Sequence, residues 1–318
     1  MESLNERAWP LCDAIESDAE RLGVAIHRLD CGTRLVDCGV EAVGSLEAGR
    51  RLAEVCLSGL GTVFLKPAGA GGPVTHHVHV STNSPVPACM ASQYAGWEIK
   101  HEGFFAMGSG PMRAAAGREE LFEAIGHRER PPRCVGVLET SKLPPDEACR
   151  FIADQCGVAP DALTLLVART ASPAGTVQIV ARSVETALHK LHVLGFDLSC
   201  VESGIGVAPL PPIAGDDLSA IGWTNDAILY GAQVTLLVNA DDAKLQEVGP
   251  HVPSKASKDY GRPFAEIFAG YNRDFYAIDP MLFSPATIRF VNRATGTQFQ
   301  FGQVAADVLP RSFEERPA

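Results

Sequence analysis

The chain has 318 residues, 46% hydrophobic and 20% charged, with a formal net charge of −11. That length exceeds one ordinary hydrophobic core and predicts two lobes with a cleft available between them, folded throughout. The acidic balance, with a sequence pI near 5.3, excludes a nucleic-acid surface, which needs a concentrated basic face, and apolar runs such as residues 234–238 are far too short to cross roughly 30 Å of hydrocarbon.

Residues 4–22 space Ala8, Leu11, Ile15, Ala19 and Leu22 three and four apart, the period of an amphipathic helix. Residues 24–29 and 34–40 alternate apolar and polar around Asp30-Cys31-Gly32-Thr33, which predicts a β-hairpin. A second helix is expected over 45–57, with Gly44 and Ser45 as start signals. The Gly-rich stretch from Pro67 to Pro73 lacks the G-x-x-x-x-G-K-[ST] pattern and has proline at both ends, so it reads as a loop rather than a phosphate cradle. A strand follows over 74–81. Helices are predicted over 119–126 and 145–156, and short buried strands over 134–139 and 163–168. Residues 175–180 are apolar enough for a strand, while 182–194 place Val184, Leu188, Leu191 and Leu194 at helical spacing, ending at Gly195. Residues 204–212, rich in Gly and Pro, read as loop. Residues 225–238 combine a helix-like start with a strand. Residues 276–283 and 287–292 precede Arg293-Ala294-Thr295-Gly296, a hairpin turn into 298–304. Strands and helices intermix without a regular βαβ rhythm. The expected fold class is therefore α/β (α+β-like), with mixed sheets in two lobes near residues 1–130 and 131–318 and a ligand pocket between them.

Several constellations invite a chemical reading. On a strand His77 and His79 share a face, with His76 beside them, the geometry of two metal ligands. No third ligand is tied to them by spacing, which favours edge-strand histidines and no metal. The nine cysteines include no C-x-x-C pair and read as buried free thiols. Met1 to Pro10 shows no basic segment followed by an apolar one, so a cytoplasmic protein is expected. Gly108, Ser109 and Gly110 do not make a G-x-S-x-G elbow. They read either as a tight turn or as backbone N–H groups that let a ligand approach closely. Arg182 and Glu185 project from the same helix face. The spacing alone fits a surface ion pair, or a buried carboxylate whose proton affinity is raised by desolvation and lowered by the adjacent cation. Asp216-Asp217 and Asp241-Asp242 read as solvated turns or helix starts.

Together these pieces resemble the methenyl-tetrahydromethanopterin cyclohydrolases over nearly the whole chain. The segments that carry the resemblance are Val36-Asp37-Cys38-Gly39-Val40, Ala95-Gly96-Trp97, Phe104-Phe105-Ala106-Met107-Gly108-Ser109-Gly110-Pro111 and Leu138-Glu139 leading to Lys142-Leu143-Pro144. Later come Ala181-Arg182-Ser183-Val184-Glu185, Gly206-Val207-Ala208-Pro209, Thr224-Asn225-Asp226-Ala227 and Tyr260-Gly261-Arg262-Pro263-Phe264. The resemblance implies a cofactor-free, metal-free enzyme of one-carbon metabolism, assembled as a homotrimer, that hydrates a methenyl pterin to its N5-formyl form. It makes Arg182 and Glu185 the catalytic pair, against the surface-pair reading, and puts Ser92, Gln93 and Tyr94 beside the reacting carbon, with Gly108, Ser109 and Gly110 also on the substrate. Archaeal relatives commonly carry lysine where this chain has Tyr94. A related pterin or folate hydrolase, and a noncatalytic pterin carrier, are the competing readings.

Overall fold

The computed structural model of the protein describes residues 2–69, 73–273, 277–305 and 307–314. Residues 70–72 of the predicted Gly-rich loop, and Tyr276, lie outside them. In chain order the strands are β1 (Ala25–Arg28), β2 (Arg34–Asp37), β3 (Gly61–Pro67), β4 (His76–Thr82), β5 (Trp97–His101) and β6 (Phe104–Ser109). They continue with β7 (Cys134–Glu139), β8 (Leu163–Ala168), β9 (Val201–Leu210), β10 (Gln233–Val238), β11 (Thr287–Asn292) and β12 (Gln298–Gly302). The α-helices begin with α1 (Leu4–Ser17), α2 (Ala19–Leu22), α3 (Leu46–Cys56), α4 (Met112–Ala116), α5 (Leu121–Ile125) and α6 (Asp146–Cys156). After them come α7 (Pro173–Val180), α8 (Ser183–Val193), α9 (Asp217–Gly231), α10 (Asp242–Val248), α11 (Phe264–Gly270) and α12 (Val308–Glu314).

The chain forms two compact units, Met1–Thr62 with Pro87–Gln178, and Val63–Val86 with Ile179–Ala318. The boundary expected near residue 130 falls inside the first unit, because β7 and β8 are inner strands of its sheet. That sheet runs β1-β2-β8-β7-β6-β5. Its β2, β8 and β7 are parallel and the outer pairings antiparallel. β7 and β8 are apolar on both faces, the pattern of strands covered on both sides. Val135, Val137 and Leu166 join a core with Ala8 and Ile15 of α1 and Leu52 and Val55 of α3. Cys134, Leu138, Leu163 and Leu165 join another with Ala148 and Ile152 of α6. Truncating a Leu in either core to Ala removes a buried side chain that typically contributes about 2–5 kcal/mol.

Local signals account for most elements. Ser3 accepts from the Glu6 N–H at the start of α1, and Ser45 accepts from the Ala48 N–H at the start of α3, each satisfying an otherwise orphaned helix donor. Glu129 then fastens α1 by accepting from Ser3 Oγ at 2.8 Å and the Leu4 N–H at 2.5 Å. The predicted hairpin is β1–β2, and the helices expected over 45–57, 119–126, 145–156 and 182–194 are α3, α5, α6 and α8. All nine cysteines are free thiols, buried except for the partly exposed Cys31 and Cys200. Among the described residues, no helix is long and apolar enough to cross a membrane.

The second unit carries the sheet β12-β11-β10-β9-β4-β3, in which β10 and β11 are parallel and β4, β9 and β10 antiparallel. Several segments here and at the end of the first unit differ from the sequence reading, residues 277–283 among them, which form turns in place of a strand. Residues 204–210, expected as loop, belong to the inner strand β9. Its glycines are there because α8 packs directly on the strand: a Cβ on Gly206 would lie 2.2 Å from Ser183 Oγ, and one on Gly204 2.6 Å from Val184 Cγ1. Pro209 sits beyond Val207, where the pairing with β10 ends, so its missing N–H takes nothing from that ladder. Residues 175–180, expected as a strand, are helical as part of α7. Nearly every residue from 174 to 180 is buried, so no amphipathic period shows. The start signal was present all the same: Ser172 Oγ accepts from the Gly175 N–H at 3.0 Å, with Pro173 in the first helical position. Likewise α9 starts at Asp217 rather than near Asn225, because Asp216 accepts from the Ser219 N–H.

Candidate active site

The residues singled out from the sequence fall into two groups, one in each unit. In the first unit, residues 92–94 close an eight-residue π-helix, Val86–Gln93. The Tyr94 N–H donates to Cys89 O at 2.8 Å, the i to i−5 bond of that uncommon geometry. Ser92 is fully buried. Its hydroxyl donates to Cys56 O at 2.6 Å and shares a hydrogen bond of 2.7 Å with Ser58 Oγ. Gln93 is equally buried, and its carbonyl receives Cys56 Sγ at 3.9 Å. Tyr94 is only partly covered, so it is the member of this segment whose side chain reaches solvent.

Gly108, Ser109 and Gly110 lie directly against that segment. The Gly110 N–H donates to Ser92 O at 2.9 Å, and the residue has φ +84°, a backbone state that favours glycine. Gly108 has no space for a side chain, since its Cβ would meet Met112 Cε at 2.8 Å and Ile99 Cδ1 at 2.9 Å. Ser109 points inward, 3.3 Å from Cys56 Sγ and 3.4 Å from Val137 O. The structure thus joins two sequence segments, 92–94 and 108–110, through the hydrogen bond from the Gly110 N–H to Ser92 O, which spacing could not reveal.

In the second unit, Arg182 is the N-cap of α8 and Glu185 lies in its first turn. Their exposures are 7% and 4%, which removes the solvated surface-pair reading: salt and water screen neither side chain as they would an exposed pair. The turn is rigid, because Thr186 donates its N–H to Arg182 O and its hydroxyl to Ser183 O, both at 2.9 Å. A carboxylate in a first turn faces the positive end of the helix dipole, which favours its ionised form, while burial disfavours it. Five residues on, the ammonium of Lys190 is fully buried and donates to Met281 O. Burial pushes its pKa down to about 8, with Asp279 opposing the shift.

The histidines of β4 lie on an inner strand, between β9 and β3, and not at the sheet edge expected. His79 stacks on Phe64 with ring centres 4.7 Å apart, and burial, then Lys66 and His77, hold its pKa below the ordinary value. Among the described residues, no group of three or more His, Cys, Asp and Glu side chains is arranged to hold a metal ion. Three charged residues of structural consequence were given no role of their own in the sequence reading. Asp37 accepts from the N–H groups of Gly39, Val40, Glu41 and Ala42 at 2.7 to 2.9 Å, which folds the Val36–Val40 motif around one carboxylate. Its only signal was its place in that motif. Arg113 and Asp226 are both fully buried, and no spacing announced it.

By fold the chain is a mixed α/β protein of two units that buries an Arg-x-x-Glu turn at the head of a helix. Comparison with known sequences narrows that class. The profile of the cyclohydrolase (MCH) family matches residues 3–313, and the chain belongs to this family. It is 49% identical over 317 residues to the methenyltetrahydromethanopterin cyclohydrolase of Methylobacterium sp. (strain 4-46), covering 98% of this chain and 97% of that protein. The enzyme of the same name from Xanthobacter autotrophicus is 48% identical over 304 residues, covering 96% and 90%. That of Methanospirillum hungatei JF-1 is 40% identical over 318 residues, covering 98% and 99%.

Proposed function

We propose that this chain reversibly hydrates N5,N10-methenyl-tetrahydromethanopterin to N5-formyl-tetrahydromethanopterin. The observation that carries the reading is near full-length similarity to proteins bearing that activity in their names. The burial of Arg182 and Glu185 on one helical turn supports it. The methenyl carbon lies between two nitrogens as an amidinium cation and is already electrophilic, so the enzyme has to position one water and take its proton. Glu185 is assigned as the general base. Arg182 orients the water and the carboxylate and tunes that carboxylate's proton affinity. Hydroxide character adds to the carbon to give a carbinolamine. The bond from carbon to N10 then breaks, N10 gains a proton, and loss of the hydroxyl proton leaves the formyl group on N5, with one proton released overall. Ser92, Gln93 and Tyr94, backed by Gly108, Ser109 and Gly110, are assigned to holding the pterin. The chemistry requires no metal or other cofactor.

Decay of the methenyl chromophore on adding the protein is the test, run in parallel with methenyl-tetrahydrofolate and after treatment with a chelator. Catalytic decay of the methanopterin substrate, unchanged by the chelator, is expected. Stoichiometric binding without turnover would make the protein a carrier, and preference for the folate would reassign its substrate. A homotrimer is proposed as the working assembly, by analogy with the family. Light scattering should then report three copies of the 33.8 kDa chain, and a monomer at micromolar concentration refutes it.

A further inference from the structure

The geometry assigns Arg113 as a positioning residue for the segment at residues 92–94, an inference that rests on the proposed role of that segment in holding the pterin. Arg113 is fully buried, and heads the largest such side chains. Its Nη1 donates to Met90 O at 2.8 Å and to Ser92 O at 3.4 Å, carbonyls in the last turn of the π-helix. The final carbonyls of a helix have no N–H partners within it, and a cation there also answers the helix dipole. The same guanidinium lies 5.0 Å from the centre of the Tyr94 ring and 5.2 Å from that of Phe122, within cation–π range. Its other edge pairs with Glu119, Nε to Oε1 at 2.9 Å and Nη2 to Oε2. One planar fork therefore caps the helix end, backs one face of Tyr94 and is itself held by a carboxylate. Gly96 closes the arrangement, since a Cβ there would fall 2.1 Å from Glu119 Oε2 and 2.6 Å from Tyr94 Cε1. The Arg113–Glu119 pair has no net charge, so it braces the segment without presenting an uncompensated positive charge to a cationic substrate.

Lysine offers a point charge and cannot serve two carbonyls, a ring face and both carboxylate oxygens at once. Arg113→Lys is therefore expected to lower kcat/KM for the methenyl pterin by about 10²-fold, the order of loss that follows displacement of substrate-positioning groups, and to do so mostly through KM. Glu119→Gln, which keeps volume but releases the guanidinium, should move KM in the same direction. Combining Arg113→Lys with Tyr94→Leu should cost less than the product of the single losses, because both act through one segment. Circular dichroism and thermal unfolding establish which variants fold, and Glu119→Gln carries the test if Arg113→Lys does not. A merely structural brace lowers Tm but leaves kcat and KM of the folded protein at wild-type values, and that result overturns the inference. Wild-type protein assayed alongside separates this failure from failure of the proposed function, in which the wild type itself shows no turnover.

Discussion

Glu185→Gln is expected to bind the methenyl pterin while turnover falls by about 10²- to 10⁴-fold, the usual extent of general-base assistance. The amide keeps the size and most hydrogen bonds of the carboxylate but cannot accept a proton from water. At 4% exposure, the native carboxylate is buried in the first turn of α8. Arg182→Lys preserves the charge but loses the planar fork, so a strong fall in turnover is expected there as well. If the two residues act on one water, as proposed, changes at both positions should cost less than the product of the single losses. An ion pair with only a surface role would behave differently, each single variant keeping near-normal turnover and losing at most about 0.5 kcal/mol of stability. Steady-state rates for both singles and the double, with a binding titration of Glu185→Gln, decide the matter. Near-wild-type turnover in Glu185→Gln would remove the catalytic assignment.

A loss of stability with rising pH, centred on Asp226, is the second large effect expected. Asp226 lies fully buried in α9. It accepts from the Phe264 N–H at 2.9 Å, at the start of α11, and from Ser312 Oγ on α12. Burial pushes its carboxyl up from 3.8 to about 7, with Glu266 adding to the rise and the two hydrogen bonds opposing it. The folded protein therefore keeps a proton that the unfolded chain releases near pH 4. The resulting stabilisation is complete below that unfolded pKa and declines as pH rises towards about 7, above which both states are ionised. The decline amounts at most to something on the order of 4 kcal/mol. Asp226→Asn cannot ionise and can still accept from Phe264 and donate to Ser312, so its unfolding midpoint should fall less than that of the wild type between pH 4 and pH 7. Denaturant melts of both proteins across that interval check this, and parallel profiles would mean that Asp226 does not titrate there.

Sequence by itself determined the elements whose signals are local. Ser45 marked a helix start, the turn around Gly32 marked the β1–β2 hairpin, and the continuous apolar runs at 134–139 and 163–168 marked the inner strands β7 and β8. It also located the Arg182-x-x-Glu185 turn on a helix, because a spacing of three is itself a statement about one helical face. What it left open needed neighbours distant in the chain. Gly204 and Gly206 read as loop residues until α8 is seen lying on β9, where any side chain would collide with Ser183 or Val184. The apolar stretch 175–180 resembled a strand because a helix buried on nearly all sides shows no period. Whether Arg182 and Glu185 face water or the interior, that Gly110 holds Ser92, and that Arg113 ends its reach on residues 90, 92 and 119 were decided only by tertiary structure. Burial and long-range hydrogen bonding depend on which surfaces the folded chain brings together, and no local pattern of residue types encodes that.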